Sequence, residues 1–112
     1  MAVHIVNVRH MSLKDFPNSH YEYCGRPSAL GNPTHMVNES DRDRACRDFA
    51  IWFPEALATN PKVRLTFDRL KLIHDNGKDL VLGCFCKPKR CHLDTVKHFL
   101  EGRCVIPARR FK

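Results

Sequence analysis

The stretch DLVLGCFCKPKRCHLDTVKHFL, residues 79–100, decides the fold of this chain. It begins with a short, nearly continuous apolar run, which is typical of a strand covered on both faces. A loop rich in cysteine and basic residues follows, and a helix is predicted to begin near Cys91 or His92 and to end at Gly102. The apolar residues at helical spacing in that helix are Leu93, Val96 and Leu100. The stretch therefore predicts a core strand, a loop and a helix, in that order.

Further strands are predicted on both sides of this stretch. Residues 2–8, AVHIVNV, are rich in β-branched side chains and predict a first core strand. Residues 21–24 fit a short strand, and Val105 with Ile106 predicts a last short edge strand. The sheet is therefore expected to be small.

Two helices are predicted between the first and the last core strand. The first opens at Ser40, which begins a sequence close to a capping box, and Pro54 is expected to end or kink it. The second has Asn60 as its cap, Pro61 at its first position and Gly77 as its terminator. The expected inward-facing residues are Ala45, Phe49 and Trp52 or Phe53 in the first helix, and Val63, Phe67, Leu70 and Ile73 in the second.

The order of these elements predicts an α/β fold: a small open sheet with about three helices, in a single layered domain over residues 1–112 with a basic C-terminal tail at about residues 103–112. Ligands of open α/β sheets bind at the carboxyl ends of the strands. Both irregular segments of the chain follow strands, so we expect the loop after residue 24 and the cysteine-rich loop to be neighbours.

The chain has 112 residues and a net charge of +7. This excess of basic residues suits a polyanionic or phosphate-bearing partner, although Arg109, Arg110 and Lys112 fit a solvated tail equally well. No apolar run approaches the roughly 20 residues that cross a bilayer, and the N-terminal residues do not resemble a signal peptide. We therefore expect a cytoplasmic protein with no membrane role.

The cysteine-rich loop is a candidate zinc site. Cytoplasmic cysteines favour metal binding or thiol chemistry over structural disulfides. Cys84, Cys86, Cys91 and His92 supply four soft donors, the number that closes a tetrahedral zinc site. Adjacent Cys91 and His92 reach one ion only if the helix start turns both of them inward.

Three other interpretations of the same loop are open. Cys91 beside His92, at a helix N-terminus and near basic residues, has the surroundings that lower a thiol pKa, so this pair is the candidate catalytic pair. Alternatively, the loop amides with Lys87 and Arg90 hold a phosphate. In the third interpretation the cysteines are core residues and His92 only caps the helix.

The other irregular segment is GRPSALGNP, residues 25–33, whose glycines and prolines indicate specific turns. It has neither the G-x-G-x-x-G fingerprint nor a Walker lysine, so standard dinucleotide or P-loop binding is not indicated. Arg26 offers a fork of donors for a phosphate or a carboxylate, and Asn32 can bind a base, a ribose or its own backbone. Both are candidate ligand-binding residues.

Three segments, YCGRPSALGNP, DRDRACRDFAIWF and DLVLGCFCKPKRCHLDTV, together resemble domain of unknown function 4326, a family of small phage and bacterial proteins. The family has a G-R-x-x-x-x-G-N-P loop and a late C-x-C-x-P-x-x-C-H segment, and the resemblance covers about residues 3–100. The matching positions here are Gly25, Arg26, Gly31, Asn32, Pro33, Cys84, Cys86, Pro88, Cys91, His92 and Asp94. Leu93 stands where many members have a small residue.

The resemblance implies which residues form a site, and it implies a phage or bacterial source with an accessory or host-takeover role. It implies no particular reaction. The leading hypothesis is an accessory protein whose two loops form one basic Cys/His pocket for a nucleotide, a nucleoside or a nucleic-acid phosphate.

If the protein is an enzyme of nucleotide or nucleic-acid metabolism, we expect Arg26 to hold the anion and Asn32 to orient the ligand. Cys91 with His92, or a zinc-bound water, would then carry the chemistry. The alternative is a non-enzymatic, zinc-stabilised module that binds nucleic acid or a host protein. A small structural protein, in which the cluster is part of the core, is the third hypothesis.

Overall fold

The computed structural model describes residues 2–10, 12–26, 28–33, 38–85 and 89–111. In this part of the chain, three strands form one parallel sheet in the order β1-β3-β2. The strands are β1 (Val3–Asn7), β2 (Ser19–Tyr23) and β3 (Asp79–Cys84). The apolar run of residues 79–84 is therefore the central strand and pairs on both edges, which explains its nearly continuous burial.

The two faces of the sheet have different neighbours. Leu80, Leu82 and Cys84 belong to the apolar core that the helices share. The alternate residues of β3 point to the opposite face, where a Cβ at Gly83 would lie 2.6 Å from the Tyr21 hydroxyl oxygen. Glycine at position 83 therefore lets the Tyr21 ring lie directly across the central strand.

Three helices occur in the described residues: α1 (Arg42–Thr59), α2 (Pro61–Asp75) and α3 (Leu93–Leu100). The start of α2 is capped as its sequence predicts, because the Asn60 side chain accepts hydrogen bonds from the amides of Lys62 (3.1 Å) and Val63 (3.3 Å). Gly77 and Gly102 follow α2 and α3 with positive φ angles of 96° and 79°. The prediction of a small open sheet with three helices is confirmed.

The Phe53 side chain joins the three helices. Its ring centroid lies 5.2 Å from that of Phe49 in α1, 6.0 Å from that of Phe67 in α2 and 5.3 Å from that of Phe99 in α3. All four phenylalanines are buried. Such rings bury large apolar areas and add favourable edge contacts, so Phe53 is a central residue of the helical layer.

Two local predictions are wrong, and the predicted end of α1 at Pro54 is not observed. Pro54 lies inside α1, which continues to Thr59, because buried residues before and after the proline, among them Phe53 and Leu57, offset the hydrogen bond that proline cannot donate. Ser40 is not the cap of α1 but lies in a short 3-10 turn, and its amide is held by the Asn38 side chain at 3.1 Å. Val105 is 90 % exposed and is not in a strand.

The segment after α3 packs on the junction of α1 and α2. The Arg64 side chain donates to the Pro107 carbonyl at 2.6 Å and to the Leu57 carbonyl at 3.3 Å. Arg109 forms an ion pair with Asp68. These contacts hold the described part of the basic tail against the helices, while the Arg109 side chain stays 49 % exposed; Lys112 lies outside the described residues. No helix in the described ranges is long and apolar enough to cross a membrane.

Candidate functional site

A cavity of about 310 Å³ opens at the carboxyl ends of β2 and β3. The loop after β2, the loop after β3 and the start of α1 enclose it. The described residues that line it are Tyr23, Gly25, Arg26, Asn32, Arg42, Ala45, Cys46, Cys84, Phe85 and His92. The expected proximity of the two loops is confirmed, and the cavity lies where ligands of open α/β sheets usually bind.

The loop after β2 is built from two consecutive turns. The Ser28 amide donates to the Gly25 carbonyl at 2.8 Å, and the Gly31 amide donates to the Ser28 carbonyl at 2.9 Å. A Cβ at Gly31 would lie 2.9 Å from the Gly25 carbonyl oxygen and 3.0 Å from the Arg26 amide nitrogen. Because these neighbours are backbone atoms that cannot move aside easily, the close return of this loop requires glycine at position 31.

Two side chains fix this loop at the cavity wall. Asn32 is buried, and its amide nitrogen donates to the Ala45 carbonyl in α1 at 3.1 Å. The Tyr23 hydroxyl donates to the Arg26 carbonyl at 2.8 Å. Both predicted ligand-binding residues of this loop, Arg26 and Asn32, therefore lie at the cavity, with Arg26 exposed and Asn32 attached to α1.

His92 connects the two loops directly. Its Nε2 atom lies 3.0 Å from the Cys24 carbonyl oxygen, and a carbonyl oxygen only accepts, so Nε2 carries the proton and donates it. Its Nδ1 atom lies 3.7 Å from the Cys91 sulfur. In the neutral ring Nδ1 is then the acceptor for the Cys91 thiol, and the ring packs edge-on against Phe49 with centroids 4.9 Å apart.

Cys91 lies behind His92 rather than at the cavity surface. The Cys91 side chain is buried and is not among the lining residues. Its backbone amide donates to the Asp94 carboxylate at 3.3 Å, which fixes the first turn of α3. Of the described cysteines, Cys46 and Cys84 line the cavity. The catalytic role of Cys91 with His92 stays a prediction. Of these two residues, His92 lines the cavity and Cys91 does not.

Arg42 brings a second guanidinium to the cavity. It donates to both carboxylate oxygens of Glu39, at 2.8 and 2.6 Å, and to the Arg90 carbonyl at 3.0 Å. The hydrogen bonds from Arg42, helped by Lys89, lower the pKa of the Glu39 carboxyl to about 2. These contacts fix the orientation of the Arg42 guanidinium and tie α1 to the loop after β3.

The described basic residues of the loop after β3 do not line the cavity. Arg90 donates to the Asp43 carboxylate at 3.2 Å, and Lys89 lies 3.3 Å from the carboxylate of Glu39. Neither is among the residues that line the cavity. Lys87, the other predicted phosphate-binding residue of this loop, lies outside the described residues, as does Pro88 of the motif.

Phe85 forms an aromatic rim at the cavity. It is the first residue after β3, is 53 % exposed, and meets the Tyr23 ring edge-on with centroids 5.9 Å apart. The Arg9 guanidinium carbon lies 5.4 Å from the centroid of the Phe85 ring, within the range of a cation–π contact. The rim therefore combines two aromatic rings with a cation.

Cys24 lies beneath the loop after β2. Its side chain is buried, and burial raises the pKa of the Cys24 thiol to about 12, with a further contribution from the nearby Glu22 carboxylate. The thiol therefore stays protonated and unreactive at neutral pH. Cys24 is therefore a residue of the apolar core.

One pair of described side chains, Cys91 and His92, has a spacing that two zinc ligands would have. Zinc bonds of about 2.3 Å to sulfur and 2.1 Å to nitrogen place two ligand atoms about 3.6 Å apart at a tetrahedral angle, and the Cys91 sulfur and His92 Nδ1 lie 3.7 Å apart. However, within the described ranges no three His, Cys, Asp or Glu side chains are grouped to hold a metal ion. Of the other two predicted ligands, Cys84 lies within the described ranges and Cys86 lies outside them.

The sequence does not predict five of the lining residues as part of the site: Tyr23, Arg42, Ala45, Cys46 and Phe85. Tyr23 is the last residue of β2, and Phe85 directly follows β3. Both strands lead into the loops that are predicted to form the site, so their place at a strand end is the one sequence feature that marks these two residues. Arg42 is brought to the cavity by its contact with the Arg90 carbonyl, 48 residues later. Nothing local in the sequence marks such a contact.

A family model described as Domain of unknown function (DUF4326) matches residues 6–102, a range that includes both loops and all three helices. Neither the curated proteins nor the solved structures contain a match to this chain. Because the family model covers most of the chain, the protein belongs to the DUF4326 family.

Proposed function

We propose that the cavity between the two loops binds a nucleotide or another phosphorylated nucleoside. One observation carries this proposal: two arginines and two aromatic rings line the same cavity, and none of its described lining residues is acidic. Guanidinium groups bind phosphate oxygens through paired hydrogen bonds, and aromatic rings stack with nucleobases. The pocket would meet free nucleotides in the cytoplasm, which is the location that the sequence predicts.

The size and the position of the cavity support a small ligand. Ligand pockets span roughly 300–1,000 Å³, and a cavity of about 310 Å³ lies at the lower end of this range. Its surroundings are largely rigid, because Asn32 holds one loop to α1 and His92 holds the two loops together. A pre-formed pocket costs little ordering entropy when a ligand binds.

The two arginines have different roles in this proposal. Arg42 is held by Glu39 and by the Arg90 carbonyl, so it presents a fixed guanidinium edge at the cavity wall. Arg26 is exposed in the loop after β2 and can follow the phosphate as it enters. Asn32 keeps its predicted role of orienting the ligand, from a side chain already anchored to α1.

Calorimetric titration with the four ribonucleoside 5′-monophosphates tests the proposal. We expect at least one of them to bind, and the variant Arg26→Ala to bind it at least roughly tenfold more weakly, since hydrogen bonds to charged groups contribute about 1.5–3 kcal/mol. Arg103→Ala is the matched control, because Arg103 is also an exposed arginine but lies outside the cavity. No binding by any nucleotide, or equal losses in both variants, would contradict the proposal.

A zinc-stabilised module is the second candidate, and the spacing of the Cys91 sulfur and His92 Nδ1 favours it. In this function the basic surface binds nucleic acid or a host protein, and zinc would hold the loop after β3 in shape. Metal analysis of protein purified without chelator tests it, with Cys91→Ala as the control. A metal content far below one equivalent would exclude this candidate, and nucleic-acid binding that is insensitive to salt would exclude a phosphate-driven contact.

A further inference from the structure

We infer that the Phe85 ring is a stacking platform for the nucleobase, so that the pocket selects nucleotides over phosphates that lack a base. This inference rests on the proposed function and deepens it by naming the part of the ligand that determines specificity. The phosphate end would meet Arg26 and Arg42, and the base would lie on Phe85 at the rim of the same cavity.

The exposure of Phe85 is the first observation that supports a ligand contact. Large apolar side chains that stay exposed in the described part of the chain are Ile51, Leu65, Leu72, Phe85 and Val105. Within that set, Phe85 alone is aromatic and alone lines the cavity. A base stacked on its ring would cover apolar surface that is otherwise in contact with water.

The second observation is that Phe85 is held in place by its neighbours. The Asn7 side-chain nitrogen donates to the Phe85 carbonyl at 3.4 Å, and the Asn7 side-chain oxygen accepts from the Arg9 backbone amide at 2.9 Å. One asparagine therefore sets Arg9 and Phe85 side by side at the ends of β1 and β3. The Arg9 guanidinium then packs on the ring, and Tyr23 meets it edge-on.

The arrangement resembles the general way in which proteins bind unpaired bases. Aromatic side chains stack with bases of any identity, because every base has a π-face, while nearby cations hold the phosphate. A ring fixed before binding loses little conformational freedom when the base arrives. The chemistry thus favours a free nucleotide with the base at the rim and the phosphate inside.

The experiment compares adenosine 5′-monophosphate with ribose 5-phosphate, which has the same phosphate and sugar but no base. Calorimetric titrations of the wild-type chain give both affinities. Stacking on an aromatic side chain is worth enough for a preference of roughly tenfold or more for the nucleotide. The variant Phe85→Leu should bring the two affinities to within about threefold, and Phe85→Trp should retain the preference.

The control variant is Leu65→Ala, which removes an apolar side chain of similar exposure on α2 and should leave both affinities unchanged. Circular dichroism checks that each variant is folded, and the wild-type comparison decides the question even if Phe85→Leu does not fold. Equal wild-type affinities, or a preference that persists in a folded Phe85→Leu, would overturn the inference and leave the proposed function standing. Binding of neither ligand, nor of the other nucleotides, would overturn both.

Discussion

Arg42 and Arg64 have the same exposed side-chain fraction, 13 %, but lie in regions with different purposes. Each donates to a carboxylate and to a backbone carbonyl from a distant segment. Around Arg64 the distant segment is the tail after α3, which packs on the helices. Around Arg42 the partners stand beside a cavity. The same chemistry therefore fastens the chain in one region and lines a pocket in the other.

This difference shows that burial alone does not tell whether an arginine stabilises the fold or is placed to contact a ligand. At Arg64, removing the side chain leaves the Leu57 and Pro107 carbonyls without that donor. At Arg42, the Glu39 carboxylate is exposed and water can replace the lost hydrogen bonds. We therefore expect substitution to affect stability in the first region and ligand binding in the second.

The largest effect is expected for Arg64→Ala. The variant loses hydrogen bonds to Asp68 and to two carbonyls in a partly buried setting, which should lower the free energy of unfolding by about 3 kcal/mol. The melting temperature should fall by roughly 10–15 °C. Urea unfolding gives the free energy, and Arg103→Ala, at an exposed ion pair, is the control. A loss below about 1 kcal/mol would mean that the tail contact is not a structural one.

The second-largest effect is expected on nucleotide affinity, in the variant Arg42→Ala. A nucleotide should bind roughly tenfold to a hundredfold more weakly, because a fixed charged donor at the cavity wall is lost. Urea unfolding should show a much smaller change than for Arg64→Ala. If Arg42→Ala instead destabilises the fold as strongly and leaves affinity unchanged in the folded fraction, the two regions do not differ in purpose.

Gly31→Ala should have an intermediate effect on the cavity region. The added Cβ meets the backbone of Gly25 and Arg26 at 2.9 and 3.0 Å, and the strain should cost about 1.5–2 kcal/mol of unfolding free energy. Gly102→Ala provides a comparison, since a Cβ there has no neighbour within 4 Å and only the positive φ opposes it. Nucleotide affinity should fall in Gly31→Ala alone. An equal loss of nucleotide affinity in both variants would contradict the tight return of the loop.

The smallest effect is expected from the Cys24 thiol at alkaline pH. Its folded-state pKa is about 12, against an ordinary value of 9.0, so its contribution to stability is complete below about pH 9 and is lost as the pH rises toward 12. By pH 10 the loss is about 1.4 kcal/mol. Urea unfolding at pH 7.5 and at pH 10 should therefore show a larger decrease for the wild-type chain than for Cys24→Ala, and identical decreases would refute the burial of this thiol.

Much of the fold could be predicted because its signals are local. The cap at Asn60 with Pro61 after it, and the apolar run of β3, depend only on neighbouring residues. The continuation of α1 past Pro54 could not be predicted, because the burial of Phe53 against three rings is a tertiary effect that outweighs the local preference of proline. Val105 and Ile106 have the composition of a strand, but the segment after α3 packs on the helices, through the Arg64 contact to the Pro107 carbonyl, instead of pairing with the sheet.

The candidate site could be predicted only where it follows the ends of strands. Arg26, Asn32, Cys84 and His92 lie at the cavity because both loops leave the same edge of a parallel sheet. Arg90 was predicted to hold a phosphate because of its charge, but its partner Asp43 comes from another element. Charge in the sequence does not reveal which carboxylate will neutralise it.

The strand order has a consequence for folding of the chain during its synthesis. β1 and β2 are made early, but in the part of the chain that the structure describes each pairs with β3 alone, which begins at Asp79. At about 5–20 residues per second, the ribosome needs several seconds to synthesise the chain between β2 and β3. During this time the segments of β1 and β2 have no strand to pair with. Sheets built from such distant pairings form slowly. Until β3 emerges, the nascent chain has two unpaired strands that invite association with other chains, and a chaperone that shields them would raise the yield of folded protein.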